Sequence, residues 1–360
     1  MISAVIVNFY TDFHTSRLIE NLQDSEEISE ILVVDNSRTL LDCKAFKRVE
    51  KKLKIKVLRP RENLGYGRGV NAATDLIRNP YILVLNPDLR LLPGCIKSLL
   101  QTAENYRAVL VGPRFYWDEN KTFRLPPAEG MSLFWMWGGD LASRLAKEAE
   151  IYSYYWQARH EFFWKATEPF IEIFLSGAGL LLRKDFFKNQ PIFDPQFFLY
   201  FEDVDLCLRV RDRGGLILCN PRAEAIHFWN QSPAPSETKQ KYFYESKKLF
   251  LKKHYSLSSS VDLLPSSLIK PDFQPKVQNL GQFRSTISLP LNDLPQEEPL
   301  FIEIALNPWF VPFAQAVIKE PLELKESFAR VWQYLGKGRY FLRIKNLNYQ
   351  RLALWCFEKT

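Results

Sequence analysis

The chain has 360 residues, 48 basic against 41 acidic, for a formal charge of +7. Apolar residues make up 46% and charged residues 25%, which excludes a disordered or collagen-like chain. The positive charge favours anionic partners, and without a recognisable nucleic-acid module the expected ones are nucleotides or phospholipid headgroups, not nucleic acid. The five cysteines (Cys43, Cys95, Cys207, Cys219 and Cys356) form no CxxC pair. That argues against a disulfide framework or zinc site and for a reducing compartment. The N-terminus lacks a basic segment ahead of a long apolar run, as a signal peptide needs. The uncharged run Ile304–Ile318 is short and broken by Asn307, Pro308 and Pro312, so it does not span a bilayer. A cytoplasmic protein is expected, at most peripheral to the inner face of a membrane.

The first 110 residues alternate between two patterns. Short β-branched runs lie at Ile2–Asn8, Ile31–Asp35, Ile55–Leu58, Tyr81–Asn86 and Ala108–Val111. Stretches with helical spacing fall between them, at Ser16–Gln23, Leu40–Leu53 and Gly69–Arg78, the last stopped by Pro80. The alternation predicts an α/β fold, a Rossmann-like and mostly parallel sheet with helices on both faces. Ligands on such sheets sit at the carboxyl ends of the strands, where Asn8, Asp35 and Asn86-Pro87-Asp88 fall. Residues 116–170 interrupt the pattern with Trp117, Trp135, Trp137, Trp156 and Trp164. They read as an inserted helical subdomain with its own small core, or as an acceptor or membrane-interface surface. Regular structure resumes over Ile171–Arg183 and Phe193–Cys219, and a Lys- and Tyr-rich helix follows at Lys239–His254. Residues 256–284, rich in Ser, Pro and Gln, read as a linker. Beyond it, runs at Leu300–Leu306, Gln315–Ile318, Ser327–Trp332, Arg339–Ile344 and Leu352–Phe357 predict a small all-β sandwich over 285–360.

Five features could carry chemistry. Asp35, in Val33-Val34-Asp35-Asn36-Ser37, is placed either to accept hydrogen bonds from a ribose or base or to cap the next helix. In Glu62–Asn71, Gly65, Gly67 and Gly69 permit close backbone approach to a ligand, yet the loop follows the third strand and lacks a phosphate-cradling Lys-Ser/Thr. Asn86-Pro87-Asp88 offers a carboxylate for Mg2+ or Mn2+, or is an ordinary turn. The segment Phe193–Arg209 puts Glu202, Asp203 and Asp205 at a helix start behind an aromatic run. The helix dipole there favours an ionised carboxylate able to act as a base. Asp205 and Arg209 are spaced i, i+4 and can pair. His227 follows a strand, where a histidine is more often structural than a ligand.

Together these pieces resemble a family 2 glycosyltransferase with the GT-A fold, in the branch that includes rhamnosyltransferases. The resemblance covers residues 2–255, with 116–170 as an insertion. It rests on the Asn8 strand, Val-Asp-Asn-Ser at 34–37, Asn-x-Gly-Tyr-x-x-Gly-x-Asn at 63–71, and Asn-Pro-Asp at 86–88. Ser-Gly-Ala-Gly-Leu-Leu-Leu-Arg-Lys at 176–184, Tyr-Phe-Glu-Asp-Val-Asp-Leu-Cys-Leu-Arg at 200–209, and His227 with Ser232 complete the series. The resemblance implies a nucleotide-diphosphate sugar donor held by Asn8, Asp35, Asn63, Gly65, Gly67, Asn86 and Asp88. It implies Mg2+ or Mn2+ at Asp88 and His227, and Asp203 as general base with Glu202 the second candidate. The implied acceptor is a saccharide or lipid-linked saccharide of the cell surface, and the favoured sugar is rhamnose. The sequence departs from the family pattern at Tyr10 and Asn230, and its metal turn carries one carboxylate instead of two. The C-terminal region loosely resembles a fibronectin type III module. The rival reading is a degenerate transferase domain that binds glycans or serves as a scaffold.

Overall fold

The computed structural model describes residues 1–37, 54–128, 136, 146–188, 190–229, 231, 235–257, 276–285, 287, 289–291, 294–295, 298–310, 312–319 and 321–360. The helix expected at Leu40–Leu53, Trp135, Trp137, Cys43, Ser232 and most of the 256–284 segment lie outside the described residues. Contacts divide the chain into two interleaved units. The first comprises Met1–Arg114, Ala166–His227 and Gln231–Ser259. The second comprises Phe115–Lys165, Phe228–Asn230 and Ser260–Thr360. The aromatic segment, expected as an insertion within a 1–255 domain, is thus grouped with the C-terminal region.

The first unit is built on a sheet of nine described strands, in the order β3-β2-β1-β4-β8-β6-β9-β5 with β7 beside β9. The parallel half is β1 (Ile2–Asn8), β2 (Ile28–Asp35), β3 (Lys54–Leu58) and β4 (Tyr81–Leu85). Every residue of β1 is buried, the pattern of a parallel strand covered on both faces. Helix α1 (Asp12–Leu22) packs on β1 and on β5 (Leu89–Leu91). Helix α2 (Tyr66–Thr74) packs on β1 and β2, and α3 (Cys95–Tyr106) on the far strands. After β4 the order turns antiparallel: β8 (Gly179–Arg183) pairs with β4 and with β6 (Leu110–Tyr116). The long strand β9 (Ile217–His227) pairs antiparallel with β5 and with β7 (Phe170–Ile171). The sheet is therefore mixed, and its parallel part comes from the first 90 residues, where the strand–helix alternation predicts it.

The second unit holds helix α4 (Ala146–Lys165) and a five-stranded sheet in the order β10-β14-β13-β11-β12. These strands are β10 (Gln278–Phe283), β11 (Leu300–Ala305), β12 (Ala314–Ile318), β13 (Gly338–Lys345) and β14 (Arg351–Lys359). Ser327–Trp332, expected as a strand, belongs to helix α7 (Pro321–Trp332). The module is accordingly one sheet layered with helices, and not a two-sheet sandwich. Strand periodicity accounts for it: Leu342, Ile344, Trp355 and Phe357 meet Leu324, Phe328 and Trp332 of α7. The alternate residues Phe341, Leu354 and Cys356 meet Tyr152 and Trp156 of α4. Helices therefore cover both faces. Residues 278–283, expected within a linker, form the edge strand β10.

Candidate active site

Strand register gathers the polar residues. In the β1–β2 pair Asn8 lies opposite Asp35, at the carboxyl ends of both strands. The Asn8 amide donates to Asp35 Oδ1 at 3.0 Å and to Asp12 at 2.9 Å, and its carbonyl accepts from the Thr11 and Thr15 hydroxyls. Asn8 is thus wholly engaged within the protein: it orients Asp35. The Ser37 N–H also donates to Asp35 Oδ1, at 3.1 Å. Asp35 Oδ2 is buried and accepts no hydrogen bond from the described residues, the Arg59 guanidinium lying 3.7 Å away. A buried carboxylate oxygen left in that state is suited to a donor brought by a ligand.

The glycine-rich loop closes over this edge. Asn63 accepts from the Gly65 N–H at 2.9 Å and so shapes the turn. The Asn36 amide donates to the Gly65 carbonyl at 2.9 Å and ties the loop to the end of β2. Gly65 has φ +76°, and a Cβ there would fall 2.2 Å from the Phe198 carbonyl oxygen. A Cβ at Gly67 would fall 2.8 Å from that of Phe193. Both glycines are therefore required by close packing on the Phe193–Phe198 segment. Asn71 clamps the same segment, donating to the Phe193 carbonyl at 2.7 Å and accepting its N–H at 3.1 Å. The roles of Asn36 and Asn71 were not assigned from the sequence, although both stand in the quoted motifs.

The antiparallel return of β9 completes the second cluster. Leu89 pairs with His227, which places the Asn86-Pro87-Asp88 turn beside the end of β9. The Asn86 N–H donates to the Ala178 carbonyl at 2.7 Å. Asp88 Oδ1 and His227 Nε2 lie 3.4 Å apart. Burial raises the Asp88 pKa, but His227 and His14 outweigh it and hold the carboxyl below its ordinary value. Lys239 of helix α6 (Ser236–Tyr255) also faces Asp88 electrostatically. Neither His14 nor Lys239 carried a sequence signal. One ionised carboxylate beside one imidazole suits Mn2+, and a single carboxylate with donor phosphates suits Mg2+. No group of three His, Cys, Asp or Glu suited to a metal occurs among the described residues, so donor oxygens and water would complete the shell.

Helix α5 (Glu202–Asp212) supplies the third cluster, with Glu202, Asp203 and Asp205 in its first turn and Arg209 and Arg211 in its last. That distribution matches the helix dipole. Tyr200 and Phe201 precede it with φ 70° and 64°, a strained entry held by packing of Phe201 on Phe243 and Phe250. Asp203 accepts from the Gly177 N–H at 2.9 Å and from the Val204 N–H at 2.9 Å. Burial pushes its pKa up against those two donors. Glu202 is more deeply buried, its Oε2 accepts no hydrogen bond, and burial together with the Asp203 charge pushes it up to about 8. Asp205 belongs elsewhere: it pairs with Arg209 at 2.7 Å, Lys253 at 2.5 Å and His254 at 2.8 Å, joining α5 to α6. Tyr66 links the clusters. It faces Glu202, Asp203 and Asp88, and its hydroxyl donates to the Gly177 carbonyl at 2.5 Å.

The strand order, mixed around β4 with carboxylates at the carboxyl ends of its parallel strands, is that of a GT-A fold. Residues 15–190 match the family described as Glycosyl transferase family 2. They form a family 2 glycosyltransferase domain. The chain is 28% identical over 241 residues to an N-acetylglucosaminyl-diphospho-decaprenol L-rhamnosyltransferase of Mycobacterium tuberculosis, covering 63% of this chain and 76% of that one. It is 24% identical over 244 residues to the rhamnosyltransferase WbbL of Escherichia coli, covering 63% and 83%. Its fold is similar to that of the mannosyltransferase PcManGT from Pyrobaculum calidifontis, solved with GDP-Man and Mn2+. That likeness has a TM-score of 0.45 at 9% identity and covers 71% of this chain and 63% of the other. Glycosyl transfer is the chemistry of the family 2 domain, and the rhamnosyltransferases are its near sequence relatives.

Proposed function

We propose that this glycosyltransferase moves rhamnose from a nucleoside-diphosphate donor to a hydroxyl of a lipid-linked saccharide, inverting the anomeric configuration. The observation that carries the reading is the convergence of Asp35, Asp88 and Asp203 on one end of the sheet, with Tyr66 facing the last two. Asp35 offers its unbonded oxygen to the base or ribose. Asn63, Gly65 and Gly67 shape the loop beside the nucleotide and seat it on the Phe193–Phe198 segment, while Asn8 and Asn86 brace the strand ends. A divalent cation held by Asp88 and His227 supplies charge neutralisation for the departing diphosphate. Asp203, less buried than Glu202, takes the proton of the attacking acceptor hydroxyl. One displacement with one base inverts the centre, and no protein nucleophile is needed. Glu202, more deeply buried and with no hydrogen-bond donor on Oε2, has its pKa pushed up by burial and the Asp203 charge and is the second candidate.

The names of the relatives support a membrane-borne acceptor, and we place the enzyme in the cytoplasm as a peripheral visitor to that surface. No helix among the described residues is long and apolar enough to cross a membrane. Ile151, Tyr154, Tyr155 and Phe162 form an exposed stripe on α4, suited to a headgroup boundary. Joint substitution Ile151→Glu and Tyr154→Glu is expected to abolish flotation with anionic vesicles and to spare transfer to a water-soluble acceptor.

A thermal-shift panel of nucleotide sugars, each with and without Mn2+, tests the donor site. A ligand that binds only the folded state raises the Tm with its concentration. A rhamnose-bearing nucleotide is expected to give a metal-dependent rise that Asp88→Ala loses. A rise that is equal without metal and in Asp88→Ala would overturn the metal assignment. No rise with any donor would favour the glycan-binding scaffold.

A further inference from the structure

We infer that Tyr66 is a positioning residue for the base: its hydroxyl, acting through Gly177, fixes the orientation of the Asp203 carboxylate. The inference rests on the reading of Asp203 as base. The phenolic hydroxyl donates to the Gly177 carbonyl at 2.5 Å, and the N–H of the same residue donates to Asp203 Oδ2 at 2.9 Å. Gly177 is thus gripped from both sides. A Cβ on it would fall 3.1 Å from the Asp203 Cβ and 3.4 Å from Oδ2, so the loop lies directly against the carboxylate.

The other end of Tyr66 is equally fixed. Its backbone N–H donates to the Phe198 carbonyl at 2.9 Å, and its ring meets Phe193 edge-on at 5.9 Å. The preceding Gly65 is packed on the Phe198 carbonyl too closely for any side chain. Tyr66 therefore spans from the donor-side loop to the loop that orients the base. Burial, Glu202, Asp203 and Asp88 all favour the protonated phenol, so the hydroxyl stays a donor across the working pH range. Among the described residues, Glu202 and Cys207, both on α5, also face Asp203. The bland account is that Gly177 merely satisfies a buried hydroxyl. Phenylalanine would then serve as well, because packing on Phe193 and Phe198 does not need the oxygen.

Tyr66→Phe separates the two accounts. Donor affinity is read by calorimetry, and transfer is followed against pH at saturating donor and acceptor. Without the hydroxyl, Gly177 loses its anchor and its N–H no longer aligns on Oδ2. Loss of a donor to a carboxylate raises that carboxylate's pKa, so the acidic limb of kcat moves to higher pH. We expect donor Kd to change by no more than about threefold and kcat to fall about tenfold or more, in the range set by a misaligned base. If Tyr66→Phe does not fold, Gly177→Ala serves instead. Its Cβ presses on Asp203 from the other side and should lower kcat with donor Kd retained. An unchanged kcat and pH profile in the folded variant overturns the inference. Asp203→Asn is run alongside. If it still transfers, the base assignment fails; if it is inert while Tyr66→Phe behaves as wild type, only the Tyr66 inference fails.

Discussion

Asp35 Oδ2 is an acceptor held ready in a site where Asn8 and Ser37 occupy the other oxygen. A hydrogen bond to a charged acceptor contributes about 1.5–3 kcal/mol, so Asp35→Ala should weaken nucleoside-diphosphate binding roughly 10- to 150-fold. Titration calorimetry with the nucleotide alone checks this, and an unchanged Kd would remove Asp35 from the site. Its position was legible: the sequence places a carboxylate at the end of a buried parallel strand, and Asp35 does end β2. Its partner geometry was not. Asn8 read as a ligand-binding residue, and only the register that sets it opposite Asp35 shows its amide directed inward. Asn63 likewise uses its carbonyl to shape its own turn. Tyr66 stood in a quoted motif without a role, because its hydroxyl acts on a residue 111 positions away.

Helices α5 and α6 are joined through one buried carboxylate. Arg209, Lys253 and His254 around Asp205 outweigh its burial and hold it down at about 2, against an ordinary value of 3.8. A depressed carboxylate adds stability above its unfolded pKa and loses it as pH falls through the folded one. Between about pH 4 and pH 2 this joint should therefore lose roughly 2 kcal/mol. Asp205→Asn should flatten that part of the stability curve in urea titrations, and an unchanged slope would contradict the assignment. The i, i+4 pairing of Asp205 with Arg209 was readable from spacing alone; Lys253 and His254 were not, because they arrive from another helix. In the second unit, Glu303 is buried between Arg343 and Lys345, which hold its pKa down despite burial. Arg343→Ala should cost about 3–5 kcal/mol by leaving a buried charge undercompensated. The helix at Pro321–Trp332 was misread as a strand over its last six residues. A short apolar run does not reveal its period, and the proline at the first helical position was the overlooked start signal.

At the scale of the molecule, the chain leaves its first unit near Arg114, contributes Phe115–Lys165 to the second, and returns. Sequence order hid this, because the partners of the aromatic segment lie some 150 residues downstream. Trp117, Trp156 and Trp164 are buried. Of these, Trp117 and Trp156 fall in the second unit's hydrophobic clusters. Those tryptophans are core residues, but Trp117 and Trp156 lie in a core shared with the C-terminal sheet instead of one of the segment's own, and Ile151 and Tyr154 on the same helix are exposed. A chain ended at residue 259 loses the five-stranded sheet and with it most of the apolar cluster around Trp117 and Trp156. It should bind ANS strongly and lose near-UV circular dichroism. A monodisperse product with an unchanged near-UV spectrum would show that the segment folds without the C-terminal sheet.

The central claim is that Asp203 removes the acceptor proton in a sugar transfer, and Asp203→Asn tests it most directly. Asparagine keeps the shape and the contact with Gly177 but cannot accept the proton. With a rhamnose nucleotide donor and a saccharide on a short prenyl diphosphate, donor Kd should stay within about threefold while the transfer rate falls about 10²- to 10⁴-fold. A variant that transfers within tenfold of wild type would contradict the account and move the proton to another group.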